Sequence, residues 1–214
     1  MKKKNLIIFG TRPEAIKMAP LVNQFIGDNR FDTKVCVTGQ HREMLDQVLT
    51  FFDIKPDYDL SLMKPNQNLY DLTGEVISGL KLILESFKPD FVYVHGDTTT
   101  TMAASIAAFY MQIPIGHVEA GLRTGKIYSP WPEEGNRRMT TAITKFHFAP
   151  TPSARDNLLK ENVNRDNIFI TGNTVIDSLF WIQNKIQKDT GLKKKLDKDF
   201  SFIDPSKHII LVTG

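Results

Sequence analysis

Two triplets in the sequence place a histidine two residues ahead of a carboxylate, His95-Gly96-Asp97 and His117-Val118-Glu119. Each closes a short apolar run. Two carboxylates brought to one edge of a sheet would supply what general acid–base chemistry needs. Taken singly, Asp97 reads as the cap of a helix starting at Thr98, and Glu119 as a loop hydrogen-bond partner. The repetition of the triplet points to function. Histidine and carboxylate also suit zinc or manganese, but no third well-spaced ligand set accompanies them, so no metal is expected. The zinc deaminase pattern needs a PCxxC segment, which the single cysteine, Cys36, does not provide.

A second constellation is Gly10-Thr-Arg-Pro-Glu-Ala-Ile-Lys17. Most of it reads as a helix start, with a turn at Gly10, a cap at Thr11, Pro13 in the first turn and Glu14 closing a capping box. Arg12 and Lys17 do not fit that reading. They bring two cations to a positive helix end, which is unfavourable unless an anion joins them, and the combination suits a diphosphate. Neither a Walker loop nor a GxGxxG fingerprint occurs, which counts against an NTPase or an NAD-dependent dehydrogenase. A third stretch, Ser129-Pro-Trp-Pro-Glu-Glu-Gly-Asn-Arg137, enters a helix through two prolines. The helix dipole accounts for Glu133 and Glu134 there. Trp131, a large aromatic in a polar loop, is left for contact with a ligand or partner.

These segments need a scaffold, and the rest of the chain describes one. Short apolar runs at Asn5–Phe9, Thr33–Thr38, Asp90–His95, Pro114–Val118, Lys145–Ala149 and Asn167–Thr171 lack polar alternation, as strands buried on both faces do. Helical patterns lie between them, at about Glu14–Ile26, Arg42–Phe52, Leu69–Phe87, Thr99–Met111, Glu133–Thr144, Ser153–Lys160 and Thr174–Lys188. The alternation predicts an α/β fold, a doubly wound, Rossmann-like parallel sheet with right-handed crossovers. Ligands bind such sheets beyond the carboxyl ends of the strands, where the three constellations fall. Residues 1–188 are expected to form this domain. Residues 189–214 read as a charged linker followed by a strand, His208–Thr213, the first of a truncated second domain.

Composition narrows the classes further. The chain has 214 residues and a net charge of +3, and from Lys185 onward seven basic residues face four acidic ones. The surplus therefore sits in the tail, and the body offers no basic field for nucleic acid. One cysteine forbids an intrachain disulfide. No apolar run approaches a membrane span, and the start, MKKKNLIIFG, stops too soon for a signal peptide. A soluble cytoplasmic protein is expected.

In order along the chain, GTRPEAIKMAPL, TGQHREMLDQV, VHGDTTTT, GHVEAGLRTG, YSPWPEEGNR and FITGNTVID closely resemble the non-hydrolysing UDP-N-acetylglucosamine 2-epimerases of bacteria. The resemblance runs from about Leu6 to Gly214. It implies the first half of a glycosyltransferase-B-like pair of Rossmann-like domains with the active site in the cleft between them. It also implies interconversion of UDP-N-acetylglucosamine and UDP-N-acetylmannosamine for cell-surface polysaccharide precursors, without NAD or another cofactor, by a homodimer. The family's positions fall on Asp97, Glu119 and Glu133 as catalytic residues and on Arg12 and Lys17 as substrate-binding ones. An activator site in some relatives matches at Gln40 and His41 but departs at Glu43 and Asn66. On this reading the chain alone is inactive. A nucleotide-sugar glycosyltransferase of the same fold and a non-catalytic binding or dimerisation module are the alternatives.

Overall fold

A computed structural model describes the chain except for Gln40, His41, Met63, Pro65, Asn66, Pro205, Thr213 and Gly214, and except for the side chain of Arg42. The elements run β1 (Lys3–Phe9), α1 (Arg12–Ile26), β2 (Phe31–Val37), α2 (Arg42–Phe51), β3 (Tyr58–Asp59), α3 (Leu69–Phe87), β4 (Phe91–His95) and α4 (Thr99–Tyr110). They continue as β5 (Ile115–Val118), α5 (Glu133–Ile143), β6 (Phe146–Ala149), α6 (Pro152–Lys160), β7 (Ile168–Ile170), α7 (Val175–Lys188) and α8 (Thr190–Asp199). The strands form one parallel sheet in the order β3-β2-β1-β4-β5-β6-β7. The direction of winding reverses between β1 and β4, which opens a crevice at their carboxyl ends.

Burial explains why these segments take these forms. Leu6, Ile7, Ile8 and Phe9 of β1 are all inaccessible, as a central strand with both faces covered requires. The stripe Leu72, Val76, Leu80, Ile83, Leu84 and Phe87 seats α3 in the core with Val92 and Val94 of β4, each side chain contributing about 1.5–3 kcal/mol of burial. Helix α4 carries Ala103, Ala104, Ala107 and Ala108, small enough to lie close between α3 and α5. On the opposite face, Tyr93 of β4 meets Phe25 of α1 at 5.3 Å between ring centroids. There an aromatic row continues through Phe91–Phe146 and Phe148–Phe169. Gly116 of β5 makes room for it, since a Cβ there would lie 2.8 Å from the Tyr93 ring.

The chain divides into two compact units, Met1–Val175 and Ile176–Gly214. The first holds the whole sheet. In the second, the stretch read as a charged linker is helical instead, as α8. Residues 208–212, expected as a strand, form none. A strand exists only as one side of a hydrogen-bonded ladder, and no described strand pairs with this segment; Thr213 lies outside the described residues. The two-residue β3 carries no apolar run and gave no sequence signal. No described helix is long and apolar enough to cross a membrane.

Candidate active site

The amino ends of α1 and α4 meet over the crevice, and one buried residue joins them. Thr11 caps α1, and Glu14 completes a capping box by accepting from the backbone of Thr11 at 2.8 Å and of Gly10 at 2.9 Å. Its other oxygen accepts from Thr98 Oγ1 at 2.6 Å and Thr101 Oγ1 at 3.1 Å, at the start of α4. Glu14 therefore serves two helix ends, a role its position in a capping box does not reveal. Beneath it, the Thr38 and Thr100 hydroxyls pair at 3.0 Å. A Cβ on Gly10 would fall 2.1 Å from Thr38 Oγ1, so glycine is required for this close approach.

Above this floor lies a cleft of about 380 Å³, lined among others by Lys17, His95, Asp97, Thr98, Glu119 and Arg137. Lys17 Nζ reaches across from α1 to Glu119, 2.8 Å from Oε1 and 2.5 Å from Oε2. His95 Nε2 stands 2.8 Å from the same Oε2, close but poorly aligned for a hydrogen bond. Burial pushes the Glu119 carboxyl up, yet His95 and Lys17 outweigh burial and bring it down to about 2. The carboxylate is thus ionised at neutral pH, and the same neighbours make it a weaker base than a free carboxylate. Its backbone sits at φ 63°, in the left-handed region. Such a non-glycine conformation costs about 1–3 kcal/mol and persists where surrounding contacts fix it.

Asp97 does not cap α4. Thr98 does so, accepting from Thr101 N at 3.1 Å. Asp97 instead pairs through Oδ2 with Nη2 of Arg137 from α5, and its carbonyl accepts from Asn136 Nδ2 at 2.9 Å. Arg137 Nη1 also donates to Glu134 Oε2 at 3.1 Å. Glu134 is fully buried and takes a further bond from Thr124 N at 3.2 Å. Two carboxylate–cation pairs, Glu119–Lys17 and Asp97–Arg137, therefore share one cleft.

Lys17, Asp97 and Glu119, all singled out from sequence, come together here. Arg12 lines an adjoining hollow of about 420 Å³ that shares Thr11, Pro13 and Lys17 with the first. Glu133 begins α5 but does not line the cleft, and its Oε2 is buried with no hydrogen-bond partner among the described residues. Trp131 is exposed. Gln40 and His41 lie outside the described residues. Arg137 was missed, although Glu134 and Arg137 sit three apart on a helix, a spacing at which side chains meet.

The chain that carries this cleft has known relatives. A family model described as UDP-N-acetylglucosamine 2-epimerase matches residues 24–214. The chain belongs to the UDP-N-acetylglucosamine 2-epimerase family. It is 60% identical over 211 residues to the UDP-N-acetylglucosamine 2-epimerase of Escherichia coli K12, covering 99% of this chain and 56% of that protein. The crystal structure of the Neisseria meningitidis UDP-GlcNAc 2-epimerase bound to UDP-GlcNAc superposes with a TM-score of 0.90 at 56% identity, over 95% of this chain and 54% of that one. A lipopolysaccharide outer core galactosyltransferase shares the fold alone, with a TM-score of 0.59 at 11% identity over 80% of this chain and 45% of that one. The epimerase-family chain spans about half the length of the curated relatives it matches.

Proposed function

We propose that the protein to which this chain belongs is an enzyme that interconverts UDP-N-acetylglucosamine and UDP-N-acetylmannosamine, and that the cleft at β1, β4 and β5 forms one wall of its active site. The observation that carries the reading is the Glu119–Lys17 and Asp97–Arg137 pairing at the winding reversal, in a chain of this family. The relative with UDP-GlcNAc bound supports the substrate class.

The chemistry follows from the sugar. The C2 hydrogen is not beside a carbonyl and is not acidic on its own. As the bond between C1 and the UDP oxygen breaks, C1 becomes electron-poor and the neighbouring C–H acidifies. A carboxylate takes that proton, its electron pair forms the C1–C2 double bond of a 2-acetamidoglucal, and UDP leaves as the anion. Readdition of the UDP oxygen at C1, with a proton delivered to C2 from the other face, gives the epimer. Glu119, which lines the cleft beside Lys17, is the carboxylate assigned to the first face. Asp97, in the same cleft, is the carboxylate available for the second face, and Glu133, at the start of α5 outside the cleft lining, is the alternative. Arg12, Lys17 and the amino ends of α1 and α4 would stabilise negative charge on the departing diphosphate.

The remaining half of the site belongs to the part of the relatives' length that this chain does not span. Residues 189–214 are accordingly proposed to lead from the 1–188 domain into a second domain. The family resemblance supports a homodimer and a cytoplasmic setting. The test is direct: the protein at the length of its relatives, with UDP-N-acetylglucosamine and neither NAD nor metal added, should yield UDP-N-acetylmannosamine by proton NMR. Absence of the epimer, or release of free sugar as the main product, would refute the reading.

A further inference from the structure

We infer that Arg137 is a positioning residue for Asp97, set in place by Glu134; this rests on the epimerase reading above. The guanidinium bridges two carboxylates in different settings, Asp97 facing the cleft and Glu134 fully buried behind it. A planar fork can hold two acceptors at fixed angles where an ammonium acts as a point charge. Glu134 in turn is tied to the loop after β5 through Thr124 N and to Arg138 Nε at 3.3 Å. The order of contacts is therefore loop, Glu134, Arg137, Asp97, and each link is a hydrogen bond. Asn136, one residue before Arg137, grips the Asp97 carbonyl. The first turns of α5 thus hold Asp97 by main chain and side chain at once.

Three features separate this from an incidental surface pair. The Arg137 side chain is only 13% exposed. Its partner Glu134 has no access to solvent, so the fork cannot swing out without taking away one of the two arginines that match a buried charge. The bond that would have fixed Asp97 locally, a cap on α4, is made by Thr98 instead, so the orientation of the Asp97 carboxylate depends on Arg137.

Steady-state kinetics of the relatives-length protein and of R137Q, R137K and E134Q provide the test. Wild-type turnover is measured first, since its absence would sink the epimerase reading itself. Misplacing a reacting group by about 1 Å can cost about 10²-fold. R137Q should lower kcat by about 10- to 100-fold with KM within about threefold of wild type, and R137K should recover part of the loss. E134Q, which does not touch the cleft, should reproduce a smaller fall in kcat at unchanged KM. A rise in KM with kcat preserved in R137Q would make Arg137 a substrate contact and overturn the inference. So would unchanged kcat in both R137Q and E134Q with an active wild type. Loss of the folded state in both R137K and E134Q would assign the pair to stability alone.

Discussion

The same triplet, histidine–any–carboxylate, ends β4 and β5, and the two copies meet opposite fates. Val94 is the register partner of His117, and His95 that of Val118. The triplets are offset by one residue, and in a strand one residue changes the face. His95 therefore follows Tyr93 onto the α1 side, next to Glu119 and Lys17. His117 follows Ile115 to the other side, where Nε2 lies 2.7 Å from the Gly96 carbonyl and the ring is buried. His147, its register partner on β6, is buried beside it. A repeated motif thus supplies one histidine to the cleft and one to the core, and only strand register tells them apart.

The largest effect should come from the cleft itself. Glu119→Gln removes the proposed proton acceptor and should lower kcat of the relatives-length protein about 10²–10⁴-fold, with the fold retained and the melting temperature lowered by loss of the charge pair with Lys17. A normal rate would return Glu119 to the role of loop anchor. The chain of 214 residues alone should show no turnover of UDP-N-acetylglucosamine; measurable epimerisation by it would mean that this half holds the complete site.

Next comes the contrast between the histidines. His117→Phe strands the Gly96 carbonyl and should destabilise by about 1–3 kcal/mol, read from chemical denaturation. His95→Asn should destabilise less than His117→Phe and depress turnover. If the two effects were exchanged, the assignment of faces by register would be wrong.

Acid sensitivity sharpens the comparison further. Burial lowers His117 to about 3 and His147 to about 4. Both rings therefore stay neutral in the folded state while the unfolded chain takes up protons below about pH 6.5. Their contribution to stability is complete above that value and is lost as pH falls toward 4 and then 3. The slope is at most about 1.4 kcal/mol per pH unit for each ring. Glu119 acts lower, because its stabilisation is present above about pH 4.3 and fades toward 2. Denaturation midpoints between pH 7 and 4 should flatten in His147→Phe, and an unchanged slope would show that the ring is solvated. The smallest effect belongs to Trp131→Ala. The ring is exposed, so stability should move by no more than about 0.5 kcal/mol.

Much of this was legible in the residues. Unbroken apolar runs such as LIIF marked the central strands, and the Leu72–Phe87 stripe marked α3. Thr11 and Glu14 announced the start of α1, and the paired triplets led to Asp97 and Glu119. What escaped has physical causes. Arg137 was hidden because the helix dipole already explained its acidic neighbours, so nothing asked for a cation. The second role of Glu14 depends on α4 arriving beside α1, which no local pattern encodes. The apolar run at 208–212 reads as a strand from composition, yet strand formation waits on a ladder partner. Beyond the residues taken singly, the six ordered segments resembling the epimerases pointed to the proposed activity.

The fate of the C2 hydrogen distinguishes proton removal in this cleft from any other route. With the relatives-length protein in deuterated water, both UDP-sugars should acquire deuterium at C2 as they interconvert, and Glu119→Gln should slow that incorporation along with epimerisation. Full epimerisation with C2 hydrogen retained from substrate would contradict the removal of that hydrogen as a proton in this cleft.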